Sequence, residues 1–134
     1  MSSFGIFDIA GSAMSAQSVR LSTVASNLAN AESVSGDPNT VYKPKLPVFA
    51  AQAVGDSGQT GVQVTQVVES TTPPEKRYEP GHPLADADGY VYAPSVSPVE
   101  EMVNMISAAR SYQNSVEVLN TAKDLALKTI ALGK

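Results

Sequence analysis

The sequence predicts a mainly α protein: long N- and C-terminal helices packed as an antiparallel coiled coil, with a small β or extended insertion between them. Three observations predict this. All nine prolines lie between Pro38 and Pro98, so both ends are free of helix breakers. Both ends carry apolar residues at alternating steps of three and four, the spacing of a heptad seam. Six of the nine glycines fall between Gly36 and Gly89, which concentrates turns in the middle. The expected organisation is residues 1–32 and 97–134 as one coiled-coil unit, with residues 33–96 inserted.

The first helix is expected over about residues 4–31. Phe7, Ala10, Met14, Gln17, Leu21, Val24 and Leu28 form its seam, which a single polar residue, Gln17, interrupts. The rest of its surface is unusual. Residues 1–31 carry only two charges, Asp8 and Arg20, whereas a solvated helix face normally carries Glu and Lys pairs. Gly11, Ser12, Ala13, Ser15, Ala16, Ser18, Ser22, Thr23, Ala25, Ser26 and Ala29 are small and uncharged instead. Such a surface admits close neighbours on several sides, so the helix reads as one surrounded by protein in its working state. A poorly stable, disordered segment is the alternative for the isolated chain.

The middle reads as strands and turns. The stretch YKPKLPVFAA, residues 42–51, is extended because residues before proline avoid the helical region. Val62, Val64 and Val68 alternate with polar residues as in a half-exposed strand. Asp88-Gly89 predicts a turn leading into a Tyr90-Val91-Tyr92 strand. Gly55 to Gly61 reads as a loop tip.

The last helix has the clearest start. Ser97-Pro98-Val99-Glu100 is a capping box with proline at the first helical position. Met102, Met105, Ala109, Tyr112, Val116 and Leu119 then follow in heptad spacing, and Ala126 and Ile130 resume it after Lys123. Gly133 is a candidate terminator, with Lys128 and Lys134 near the negative end of the helix dipole.

Composition excludes several functions. The net charge is −4 and the longest basic cluster is the pair Lys76-Arg77, which argues against nucleic acid as a partner. With no cysteine there is neither a disulfide nor a thiolate metal site. No Lys or Arg precedes the first apolar stretch and Asp8 interrupts it, so a cleaved signal peptide is not expected. No run of eighteen apolar residues occurs, so no membrane-spanning segment is expected. His82, the only histidine, sits between Gly81 and Pro83 and reads as a loop residue rather than a catalytic base. Asp86 and Asp88 lack the further oxygen ligands of a calcium loop. No catalytic residue, cofactor or metal is therefore expected. Neutral amides (Gln17, Asn27, Asn30, Asn104, Gln113, Asn114 and Asn120) decorate both helices and suit wet contacts between subunits.

At these residues the sequence resembles the flagellar basal-body rod proteins. The resemblance lies in IFDIAGSAMSAQSVRLSTVASNLANAES (residues 6–33), YEPGHPLADADGYVYAPSVSPVEEM (78–102) and ARSYQNSVEVLNTAKDLALKTIALG (109–133). The family's Thr-Pro-Gly-Tyr after the Asn-rich helix end is absent, and Tyr42-Lys43 stands near that place, as in the proximal-rod members. The resemblance implies a structural subunit, not an enzyme, in the periplasm-spanning rod of the basal body. It further implies export by the flagellar type III apparatus without cleavage, and assembly into a tubular, torque-transmitting shaft around the export channel. Implied partners are copies of the chain, other rod proteins, the membrane ring, the rod-base adaptor and the export apparatus.

The helix-packing and assembly residues are then expected to be Phe7, Met14, Leu21, Val24 and Leu28, against Met102, Met105, Tyr112, Val116, Leu119 and Ile130. Candidates for charge pairs between subunits are Arg20, Glu100, Glu101, Arg110, Glu117, Lys123 and Asp124. Two rival readings remain open at the level of sequence: a soluble adaptor presenting an amphipathic helix to a groove, and a small hydrolase using His82.

Overall fold

A computed structural model describes residues 3–55 and 58–133. Asp56 and Ser57 of the expected loop tip, and the dipole-facing Lys134, lie outside the described residues. Two long helices enclose four strands in the order α1 (Ser3–Asn30), β1 (Lys45–Val54), β2 (Gln59–Glu69), β3 (Glu75–Tyr78), β4 (Tyr90–Ala93) and α2 (Pro98–Leu132).

α2 begins as the capping motif predicts. The Ser97 hydroxyl accepts the amide of Glu100 at 3.4 Å, and Pro98 opens the helix. Its 35 residues make a rod of about 50 Å, against about 40 Å for α1. At the far end the Gly133 amide bonds to the carbonyls of both Thr129 and Ile130. Gly133 has φ −86° rather than the left-handed conformation of a Schellman glycine, so its hydrogen bonds, not its backbone freedom, mark the helix end.

The middle segment contains two antiparallel pairs. β1 and β2 form a hairpin from Lys45↔Glu69 to Val54↔Gln59, with a bulge between Val48 and Phe49. β3, which the sequence pattern does not reveal, pairs with β4 from Glu75↔Ala93 to Tyr78↔Tyr90. Ser35 adds a bridge on the other side of β4, exchanging both backbone hydrogen bonds with Tyr92. The Asp88-Gly89 turn appears as expected, with Gly89 at φ 83°.

α1 lies between two neighbours, and its small residues are the reason both fit. Toward α2, Arg20 donates to the Asn104 side-chain carbonyl at 3.2 Å, and Asn27 donates to Glu101 at 3.1 Å. Farther toward its N-terminus, Ile9, Ala10 and Ala13 face Ser115 and Val118, and Ile6 and Phe7 face Ala122, Leu125 and Ala126. Toward the hairpin, the Ser12 hydroxyl accepts the Val62 amide at 3.1 Å while donating to the Ile9 carbonyl at 2.7 Å. A Cβ on Gly61 would stand 2.6 Å from the Ser12 oxygen, so this crossing needs glycine on the strand. Gly5 is buried beneath the side chain of Gln59. The hairpin therefore follows α1 over most of its length.

The buried set is small-sided. Ala10, Ala16, Ala31, Ala93, Ala108 and Ala122 are buried, and the largest fully buried side chains are Val91 and Asn27. Alanine contacts draw helix axes together but remove little apolar area from water.

Candidate functional site

Two features of the described residues are candidates for function: a buried polar node and the outward faces of the helices.

The node forms around Asn27, 1 % exposed on the last turn of α1. Its side-chain amide nitrogen donates to the Lys45 carbonyl at 3.0 Å and to Glu101 Oε2 at 3.1 Å. Its side-chain oxygen accepts the Lys45 amide at 2.8 Å and the Tyr42 hydroxyl at 2.9 Å. Both donors and both acceptor positions are used, which is all that an asparagine offers. The two bonds to Lys45 imitate a neighbouring strand, so one side chain fixes the start of β1 on α1. The bond to Glu101 fixes α2 at the same point. Ser26 supports the arrangement through the Tyr42 hydroxyl at 2.9 Å. Asn27 was visible in the sequence only as one of several neutral amides. Gln17 and Asn30 stand on the same helix, so the amide alone did not single Asn27 out.

The outward face of α1 presents Gly11, Ser15, Ser18, Ser22, Ala25 and Ala29, all exposed and three or four residues apart. The outward face of α2 presents Val99, Val103 and Ile106 near its start and Leu127 and Leu132 near its end, each more than half exposed. Exposed apolar side chains repeated along a helix mark surfaces that bury themselves against other protein.

The expected packing residues distribute as follows. Val24 is buried; Phe7, Met14, Leu21, Leu28, Met105, Tyr112, Val116 and Leu119 are half-buried; Met102 and Ile130 are 54 % and 62 % exposed. One row of α2 in contact with α1 thus lies one position before the expected Met102–Ala109–Val116 line, and runs through Glu101, Ala108, Ser115 and Ala122. Small side chains take the place of closest approach, and this turns Met102 outward. Among the expected charges, Arg20 and Glu101 are half-buried and bonded to Asn104 and Asn27, while Glu100, Arg110, Glu117, Lys123 and Asp124 are exposed. The single ion pair among the described residues is Arg77–Glu75 at 3.0 Å, within β3.

The β3–β4 unit is held by its own turn. Asp86 accepts the amides of Tyr90 at 2.8 Å and Asp88 at 3.0 Å, and the Tyr92 hydroxyl at 3.2 Å. The Tyr90 amide, above all, holds the Asp86 carboxyl below its ordinary range. A depressed carboxyl contributes stability above its unfolded pKa and loses it as pH falls through the folded value. Acidification below about pH 3.9 is therefore expected to loosen this turn. The Tyr90 amide resonance, followed by NMR, should move with Asp86 titration, and Asp86→Asn should abolish that movement. Around this turn, Lys76 Nζ lies 3.9 Å from the centroid of the Tyr90 ring, and Tyr78 meets Tyr90 edge-on at 5.1 Å. His82 is used locally: its Nδ1 accepts the Leu84 amide at 3.0 Å. No group of three or more His, Cys, Asp or Glu among the described residues is placed to hold a metal, and no described helix is long and apolar enough to cross a membrane.

Comparison with known proteins agrees with this layout. A family profile described as flagella basal body rod protein matches residues 7–36, and one described as flagellar basal body rod FlgEFG protein C-terminal matches residues 87–132. Over its whole length the chain is 54 % identical to the flagellar basal-body rod protein FlgC of Salmonella typhimurium, with all of both chains covered. The chain belongs to the flagellar basal-body rod protein family. The family is structural rather than enzymatic. The FlgC proteins of Yersinia enterocolitica and of Buchnera aphidicola subsp. Acyrthosiphon pisum are 53 % and 42 % identical, again with all of each chain covered. The two rod-family profiles fall on the two helical ends: one takes in Asn27, the other the Gly89 turn, β4 and all of α2. The β1–β2 hairpin lies outside both, and is covered only by the full-length similarity to the FlgC proteins.

Proposed function

We propose that this chain is a structural subunit of the proximal rod of the bacterial flagellum. In this reading it sits in the basal body and assembles with copies of itself and with other rod proteins into the tubular shaft that transmits torque and encloses the export channel. It reaches that place through the flagellar export apparatus without a cleaved signal. The full-length identity to the FlgC proteins carries the proposal. The exposed apolar positions of α2 support it, because a subunit that worked alone would leave them in water.

The two helices act as an antiparallel coiled coil, forming one unit over residues 1–32 and 97–134 with residues 33–96 inserted. Phe7, Met14, Leu21, Val24 and Leu28 pack with Met105, Tyr112, Val116 and Leu119 inside the subunit. Met102 and Ile130, exposed in the single chain, are packing residues of the assembly. The exposed charges Glu100, Arg110, Glu117, Lys123 and Asp124, together with Arg20 and Glu101, contribute to the choice of neighbour. Each exposed pair adds no more than about 1 kcal/mol, but it recurs at every copy. The membrane ring and the rod-base adaptor are further partners at the base.

Replacing Leu21 or Leu119 with aspartate tests this reading. Either change is expected to abolish swimming in soft agar while the protein is still made at normal levels. Normal swimming in both variants would exclude the packing assignment.

A further inference from the structure

We propose that Gln17 is an assembly-determining residue, one that holds the subunit's own helix pair below its attainable stability so that the pair can repack against neighbouring subunits. The inference rests on the rod-subunit reading above. Gln17 is the one polar member of the α1 seam, on the same face as Ala13, Val24 and Arg20. That face meets α2 in two places. At one end Arg20 bonds to Asn104, and at the other Ala13 faces Asn114 and Ser115. Between Asn104 and Asn114 lies the turn of α2 carrying Ala108, which is fully buried.

Gln17 is half-buried, and its side-chain carbonyl oxygen is the one buried side-chain N or O atom among the described residues that makes no hydrogen bond with any group of the protein. Other amides around it fare better. Asn27 satisfies all four of its positions, and the Asn104 carbonyl is taken by Arg20. A buried acceptor with no donor loses its bond to water and gains nothing, so it penalises the state that buries it. That state is the closed pair of helices within one chain. An arrangement in which the helices shift or meet a neighbour releases the penalty, because the oxygen then reaches water or a donor. A single polar residue at a seam position is a known means of choosing among packings at a cost in stability.

The surrounding contacts are consistent with a pair that is held lightly. Its buried members on α2 are Ala108 and Ala122, while Ile6, Val118, Leu125 and Ile130 remain exposed along the same two helices. An apolar cleft of about 310 Å³ stays open between Ile6, Ile9, Ala13 and Val118.

The test separates stability from assembly. Gln17→Leu and Gln17→Met remove the orphaned oxygen, and methionine does so with little change in length. Both variants of the full chain are expected to unfold about 3 °C or more above the unmodified protein. In a strain lacking the natural copy, both are expected to reduce the soft-agar swimming radius at least twofold at equal cellular levels. A residue with only a structural role moves stability and swimming in the same direction. A melting temperature unchanged or lowered in both variants would overturn the proposal, since the oxygen would then carry no penalty. Raised melting with undiminished swimming would overturn it as well. The Leu21→Asp and Leu119→Asp strains run alongside keep the two readings apart: if both also swim, it is the rod-packing reading that has failed.

Discussion

Asn27→Leu is expected to lower the folding stability of the chain by about 3–5 kcal/mol, seen as a large drop in the urea midpoint. The size follows from what the substitution strands. The Lys45 amide and carbonyl, the Tyr42 hydroxyl and Glu101 Oε2 all lose their bond to Asn27, and each was within 3.1 Å of it. Leucine has the same side-chain branching with bulkier methyl ends, so lost hydrogen bonds dominate and some overpacking adds to them. Asn27→Asp discriminates among these bonds. It keeps the acceptors for Tyr42 and the Lys45 amide, loses both donors, and sets a second carboxylate beside Glu101. Its defect is expected to be smaller than that of leucine and to ease on acidification, because burial and the like charge favour the protonated form of the new carboxyl. Equal defects at all pH values would show that the contact with Glu101 carries no weight.

Ala108→Leu is the second large effect. Ala108 has no exposed surface, and it lies one turn of α2 beyond Asn104, which Arg20 of α1 reaches. Three added carbons have nowhere to go unless the helices separate. Overpacking of this kind costs about 1–3 kcal/mol, and separation breaks the Arg20–Asn104 bond in addition. Thermal melting of the purified chain should fall by several degrees, and soft-agar swimming should fail. The same change at Ala109, one position along the helix and only half-buried, should be tolerated far better. If the two substitutions behave alike, the placement of the small-residue row is wrong.

The helices were legible because their signals are local. Proline exclusion, the Ser97 cap and the heptad spacing all act within a few residues, and α1 and α2 appear where those signals put them. β1, β2 and the strand after Gly89 were legible for the same reason. β3 was not: Glu75-Lys76-Arg77-Tyr78 carries no apolar alternation, and it becomes a strand through pairing with Tyr90–Ala93. The face that α2 turns to α1 was legible only in part. Heptad counting favours the large residues at Met102 and Val116, whereas the contact row takes Ala108 and Ala122, because small side chains allow the closest approach. The small surface of α1 did show that it has neighbours on more than one side, although the sequence could not show that one of them is the chain's own hairpin. The role of Asn27 depends on Lys45, Tyr42 and Glu101, brought together from sequence separations of 15 to 74 residues, and no spacing rule reaches that far.

The hairpin that follows α1 is fastened to it at three stations: Gln59 over Gly5, Val62 on Ser12, and Lys45 on Asn27. Two slender members that only touch slide past each other when flexed, and each then resists bending by itself. Members pinned at both ends and near the middle carry shear between them and bend as a single, deeper beam. If the chain serves in a loaded shaft, as proposed above, the strands so fastened act as a splint on the helix. The hydrogen bonds at Asn27 and Ser12, minor as single interactions, are the rivets through which that stiffness is transmitted.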